Sequence, residues 1–273
     1  MRRALPALAL NAALAVLALL TLAPLLWMVS ASFMPSGQAN SYPPPLLPHG
    51  ATLANYVTLF TRLDLARAFA NSLFVAVMAT LISLVTNAMA GYAFAKLRFS
   101  GRDRVFQLLL AALVIPGQVA MLPLFLLLKS LGLVNTMAGV IVPFMATIFG
   151  IFMVRQYALG IPDELLDAAR VDGAGELRIF ATIVLPVLKP ILATLAVFTF
   201  LSAWNDFLWP LIVLSDESRF TLPVALASLS GEHVQDTELM MAGSVLTVLP
   251  VLAVFLVLQR AYLRGVMMGS VKG

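Results

Sequence analysis

Side chains able to do chemistry are scarce in this chain and collect in a few places. The densest group is Asp163, Glu164, Asp167, Arg170 and Asp172, followed by Gly173 and Ala174 and, further on, Pro186. With no cysteine in the chain and no histidine nearby, they form neither a Cys nucleophile nor a set of metal ligands. A second group, Trp204-Asn205-Asp206, sits in a long apolar run, where an ionisable side chain needs a reason. Two reasons compete. Asn205 and Asp206 could hydrogen-bond a polar solute while the Trp204 indole stacks on its ring face, or all three could bond a neighbouring helix and fix packing near Pro210. Gln118 lies between Pro116-Gly117 and Pro123, where lost backbone hydrogen bonds free carbonyls that in transporters tend to line the path. Plain kink filling accounts for Gln118 equally well.

Several motifs are missing. There is no Gly-x-x-x-x-Gly-Lys-Ser/Thr loop for nucleotide phosphates, no His-Glu-x-x-His and no Gly-x-Ser-x-Gly elbow. His49 and His233 stand outside the apolar runs with no second ligand at metal spacing. No catalytic residue, metal or cofactor is therefore expected on this chain. Any nucleotide energy has to enter through another one.

The elements that position these residues follow from composition. Of 273 residues 61% are hydrophobic and 11% charged, too apolar for a water-exposed surface and suited to lipid as solvent. The expected class is all-α, a single polytopic domain over residues 1–273. Apolar stretches at about 5–32, 71–95, 105–128, 138–154, 191–214 and 239–258 give six transmembrane helices by the ~20-residue criterion. Arg2 and Arg3 precede a first stretch too long for a signal-peptide core, so it reads as an uncleaved anchor. With both termini cytoplasmic, thirteen of the 17 basic residues fall inside and four (Arg62, Arg67, Lys129 and Arg219) outside. This orientation satisfies the positive-inside rule and disperses the basic excess over several loops, which excludes a nucleic-acid-binding stripe. Outside, residues 33–70 carry Pro43-Pro44-Pro45 and Pro48 before an amphipathic run from Asn55 to Phe69.

The cytoplasmic connector 155–190 holds the polar cluster. Pro162 and two acids open a short helix and Gly173 closes it. A second helical pattern runs from Gly175 and Glu176 through Leu177, Phe180, Ile183 and Val184, and Leu185-Pro186 is expected to turn the chain back to the membrane. The first helix exposes Ala168 and Ala169 beside Asp167 and Asp172. That leaves little apolar area for lipid and forms a compact knob able to fit a protein cleft.

Asp167-Ala168-Ala169, Gly173 and Ile183-Val184-Leu185-Pro186 resemble, in type and spacing, the EAA loop of ABC importer permeases, with Asp167 where that family has Glu. Further stretches are similar to its carbohydrate-importer, MalG-like branch: Asn71-Ser72, Gly91 to Lys96, Leu131-Gly132-Leu133, Asn135-Thr136, Trp204 to Leu211, Thr221 to Val224, and the tail Gly269-Ser270-Val271-Lys272-Gly273. The resemblance implies a bacterial or archaeal inner-membrane permease with a coupling helix that docks in a groove of an ATPase dimer, where ATP and Mg would be bound. It also implies a homologous second permease, an extracytoplasmic substrate-binding protein touching loop 215–238, a tail reaching the ATPase, and a sugar as cargo. A polyol or glycerol phosphate would suit the same scaffold, and a standalone channel or intramembrane enzyme is the remaining alternative.

Overall fold

A backbone surrounded by lipid has to bond to itself, and the described chain is helical almost throughout. The computed structural model describes residues 4–62, 64–232 and 236–270, with side chains over 10–61, 64–228 and 236–257. His233 and the tail residues Val271, Lys272 and Gly273 lie outside the described residues, while Gly269 and Ser270 are described as backbone only. In order, the helices are α1 (Ala4–Ser32), α2 (Ala54–Arg62), α3 (Leu65–Lys96), α4 (Arg102–Ala112), α5 (Met121–Ser130), α6 (Met137–Ile141), α7 (Ile148–Ala158), α8 (Asp163–Val171), α9 (Glu176–Ile179), α10 (Leu185–Trp204), α11 (Leu208–Val213), α12 (Leu222–Glu232) and α13 (Thr237–Ser270). Four stretches are long and apolar enough to cross a bilayer unbroken: Leu10–Ser32, Leu65–Lys96, Glu176–Trp204 and Thr237–Val257. Two bent pairs, Arg102–Ala112 with Gly117–Ser130 and Met137–Phe144 with Ile148–Ala158, raise the number to six if each pair is one span.

The chain divides into two compact units, where the sequence alone reads as one domain. In the first, residues 1–66 and 225–250, the loop after α1 is tied down by side chains. Asn55 donates to the Ser32 and Met34 carbonyls, both at 2.9 Å, and the buried Glu238 carboxylate accepts from Ala39 N–H at 2.6 Å. The second unit, 67–224 with 251–273, carries the polar cluster.

Three helix boundaries depart from expectation. The third stretch is two helices meeting at 103°, because Pro116 has no N–H to donate and an extended ψ, which stops α4 before a short 3-10 turn over Gly117–Ala120. The fourth bends by 41°, and Asn87 on α3 repairs the break: its Oδ1 accepts from Thr147 N–H at 3.1 Å. The fifth shifts most. Leu185-Pro186 does not turn the chain; a π turn over Phe180–Val184 takes up the proline's lost hydrogen bond, and one helix continues from Glu176 to Trp204. Asn205 and Asp206 consequently stand at a helix break, between α10 and α11.

Helices α3 and α7 meet at Gly91, where a Cβ would lie 2.6 Å from the Val154 side chain and 2.9 Å from the Arg155 backbone nitrogen. Gly91→Ala should destabilise the second unit by about 1–3 kcal/mol through overpacking. Adding Val154→Ala should recover part of that loss. A thermal-denaturation double-mutant cycle in detergent checks it, and strictly additive losses would show that the two side chains do not meet.

Candidate functional site

Helix α8 is short and amphipathic, and one side chain anchors it. Leu166 is buried in a core made by Tyr92 and Ala95 of α3, Val154 and Ala158 of α7, and Ile179, Val184 and Leu188 of the 176–204 helix. Asp163 and Glu164 in the first turn and Arg170 in the last complement the helix dipole. Gly173, at φ +78°, ends the helix: its N–H donates to Arg170 O at 3.0 Å, and Ala174 N–H donates to Ala169 O at 2.9 Å. Ala169 and Ala174 pack together against the core, so of the two alanines only Ala168 is exposed, contrary to the sequence reading.

Polar contacts fasten this platform to α3. The Lys96 side chain, only 6% exposed, donates to Ile161 O at 2.6 Å, to Leu159 O at 3.5 Å and to Asp163 Oδ1 at 2.7 Å. Tyr92 OH donates to Glu176 Oε2 at 2.8 Å; Arg170 donates to Glu176 Oε1 at 2.8 Å and to Asp167 Oδ1 at 2.7 Å. The Lys96 ammonium, by hydrogen bond and charge, holds the Asp163 carboxyl below its ordinary range, while Glu176 and Asp167 raise the Arg170 guanidinium further above an already high value. Between the foot of α3 and α8 lies a cleft of about 910 Å³, lined by Lys96, Arg98 and Arg102 on one side and by Asp163, Asp167 and Glu176 on the other.

Around the platform, Asp163, Glu164, Asp167, Ala168, Arg170, Asp172 and Gly173 are exposed, and so are three apolar residues, Leu165 (45%), Val171 (88%) and Leu177 (76%), where the sequence analysis named only Leu177, within a helical pattern, and expected little apolar area. Their signal was present, since Val171 and Leu177 break the polar pattern of the connector. Nothing lies within 4 Å of a Cβ built on Gly173 or Gly175. The surface thus combines exposed apolar and acidic side chains, and among the described residues it contains no nucleophile–base pair. Pro186, which the motif includes, sits in the first turn of α10 and not on this surface.

The other candidates lie apart from it. Trp204 is fully buried, stacked on Phe200 at 5.9 Å and edge-on to Phe69 at 5.4 Å. Exposed Asn205 donates to Leu201 O at 2.9 Å, and Asp206 Oδ1 accepts from Trp209 N–H at 3.4 Å, which satisfies the first turn of α11. These two bonds are local to the break between α10 and α11. Gln118 is exposed on the 3-10 turn. Among the described residues no group of His, Cys, Asp and Glu could hold a metal ion.

Lys96→Met leaves two carbonyls without their donor and should cost about 1–3 kcal/mol. Asp163→Asn removes only an exposed, solvent-screened ion pair and should cost clearly less than Lys96→Met. Because the folded pKa of Asp163 is lowered, its contribution is complete at neutral pH and disappears as pH falls through that lowered value. Thermal melts of both variants between about pH 3 and 7 check the ranking and the direction; a larger loss for Asp163→Asn would refute the carbonyl argument.

The family model described as "Binding-protein-dependent transport system inner membrane component" matches residues 88–267. The chain is 41% identical over 262 residues to the arabinooligosaccharides transport system permease protein AraQ of Halalkalibacterium halodurans, covering 95% of this chain and 94% of that one. It is 35% identical over 273 residues to the lactose transport system permease protein LacG of Rhizobium radiobacter, covering 100% and 98%. A solved bacterial ABC transporter involved in import of the acidic polysaccharide alginate contains a chain with TM-score 0.83 and 25% identity, covering 94% of this chain and 96% of that one. The chain belongs to the family of inner membrane components of binding-protein-dependent transport systems.

Proposed function

We propose that this chain is one permease subunit of an ATP-driven sugar importer, and that the α8 platform is where ATPase motion enters the membrane. The observation that carries the reading is the open surface around Gly173. A helix pinned to α3 and α7 leaves Leu165, Val171 and Leu177 exposed among the described residues, and exposed apolar area of this kind marks a partner site. Relatives named for arabinooligosaccharides and lactose support a sugar as cargo. The positive-inside distribution supports placing α8, the loop 97–101 and both termini in the cytoplasm.

Closing of an ATPase dimer around ATP and Mg would displace α8, and the displacement would pass to α3 through Lys96 and Tyr92 and to α10 through Ile179 and Val184. The spans of this chain and a homologous partner permease would then swing from inward-open to outward-open, and a loaded binding protein would release its sugar between them. No residue of this chain makes or breaks a covalent bond in that cycle. The chain supplies a binding surface, a rigid linkage and a path.

Affinity purification from native membranes in mild detergent should recover an ATPase, a second permease and a binding protein. Gly173→Asp strains a left-handed position that Asp tolerates better than most residues, and should lower the melting temperature no more than the uncharged control Gly173→Asn does. It should nevertheless reduce uptake on the order of tenfold or more by placing a charge on the docking surface. Unchanged uptake with normal ATPase association would refute the assignment of α8.

A further inference from the structure

Three short stretches far apart in sequence meet at the end of α3 opposite the α8 platform. The meeting point is segment 214–222 between α11 and α12, buried at its ends Leu214, Thr221 and Leu222 and exposed over 215–219, which contains a 3-10 turn over Glu217–Arg219. Asn135, in the turn between α5 and α6, has φ 58°. This left-handed geometry directs its N–H, its C=O and its side-chain oxygen to the same segment. Asn135 N–H donates to Val213 O at 2.8 Å, its Oδ1 accepts from Ser215 N–H at 3.0 Å and from Asp216 N–H at 3.1 Å, and its carbonyl accepts from Arg219 Nη1. From α3, Asn71 Nδ2 donates to Ser218 O at 3.1 Å and to Phe220 O at 3.0 Å, while Ser72 Oγ accepts from Leu222 N–H at 2.7 Å. Within the turn, Asp216 Oδ1 accepts from Ser218 N–H and Oγ at 3.0 and 2.7 Å, and these bonds hold its carboxyl below the ordinary range.

An exposed loop ordinarily leaves its backbone groups to water. Here six of them, from Val213 to Leu222, are taken up by three side chains and one backbone of other elements, while residues 215–219 remain exposed. A non-glycine residue kept in the left-handed region by this many bonds is an over-determined geometry of the sort found at binding surfaces. A loop held rigid before contact loses less conformational entropy on binding.

The geometry points to Asn135, with Asn71 and Ser72, as positioning residues that hold segment 214–222 in its docking conformation for the extracytoplasmic binding protein. This rests on the import reading above, which places that segment outside. The three residues do not touch the sugar. They set the affinity for its carrier.

The test uses the complete transporter in liposomes and the binding protein recovered with it, titrated against ATPase stimulation. Asn135→Gly keeps the backbone conformation and removes the side-chain acceptor; Asn135→Asp retains two acceptor oxygens. Asn135→Gly should raise the half-saturating concentration of binding protein on the order of tenfold, leave the maximal rate within about twofold, and speed amide exchange at 215 and 216. Asn135→Asp should return the half-saturating concentration to within about twofold of wild type. A wild-type response with unchanged half-saturation in Asn135→Gly, or a fall in maximal rate alone, overturns the positioning role. A wild-type complex that no binding protein stimulates overturns the import reading itself.

Discussion

A nearly buried ammonium ion at the foot of α3 is the constraint on which the functional face depends. Lys96 is 6% exposed, and a charge so placed is tolerable only if its protons find acceptors. All its acceptors lie on the segment 159–163, two of them carbonyls left over from the end of α7 and its turn. One side chain therefore ends α7, starts α8 and joins both to α3. The exposed Asp163 contributes little of this energy. The carbonyls, which have no other donor, account for most of it.

The same accounting explains the breaks within the apolar helices. Lipid offers no hydrogen bonds, so each interruption needs a local donor or acceptor. Thr147 Oγ1 accepts from Gly150 N–H at 3.1 Å, and Asn87 accepts the N–H of Thr147 itself. Gly150 leaves room for this, since a Cβ there would stand 2.8 Å from the Asn87 amide. Asn87 is thus a packing residue, fully buried and also donating to Ser83 Oγ at 2.7 Å.

The long apolar helices, the short α8 and the Gly173 turn were legible in the sequence because hydrophobic runs and a left-handed glycine are local signals. The continuity of the 176–204 helix was not, because whether Pro186 turns a chain or is absorbed by a π turn depends on what packs against it. Here Tyr92 meets Phe180 at 5.6 Å within that turn. The placement of Asn205 and Asp206 at a break followed from that missed continuity. The partners of Lys96 and Asn135 were illegible for a related reason: each side chain reaches residues about 65 and 80 positions away, and no periodicity encodes such a contact. Only their presence in stretches resembling one family marked them.

Those two nodes are joined by a single element. Helix α3 carries Asn71 and Ser72 near one end and Tyr92 and Lys96 near the other, without a break between them. At 1.5 Å per residue the separation from Asn71 to Lys96 is roughly 37 Å, enough to cross a ~30 Å hydrocarbon layer and reach both interfaces. At Gly91 the backbone of α3 comes so near α7 that even an added Cβ would lie 2.6 Å from the Val154 side chain. On the import reading proposed above, a displacement applied to α8 would therefore reach α3 at its foot and would move the helix as a body, and with it the segment that Asn71 and Ser72 hold at the far side.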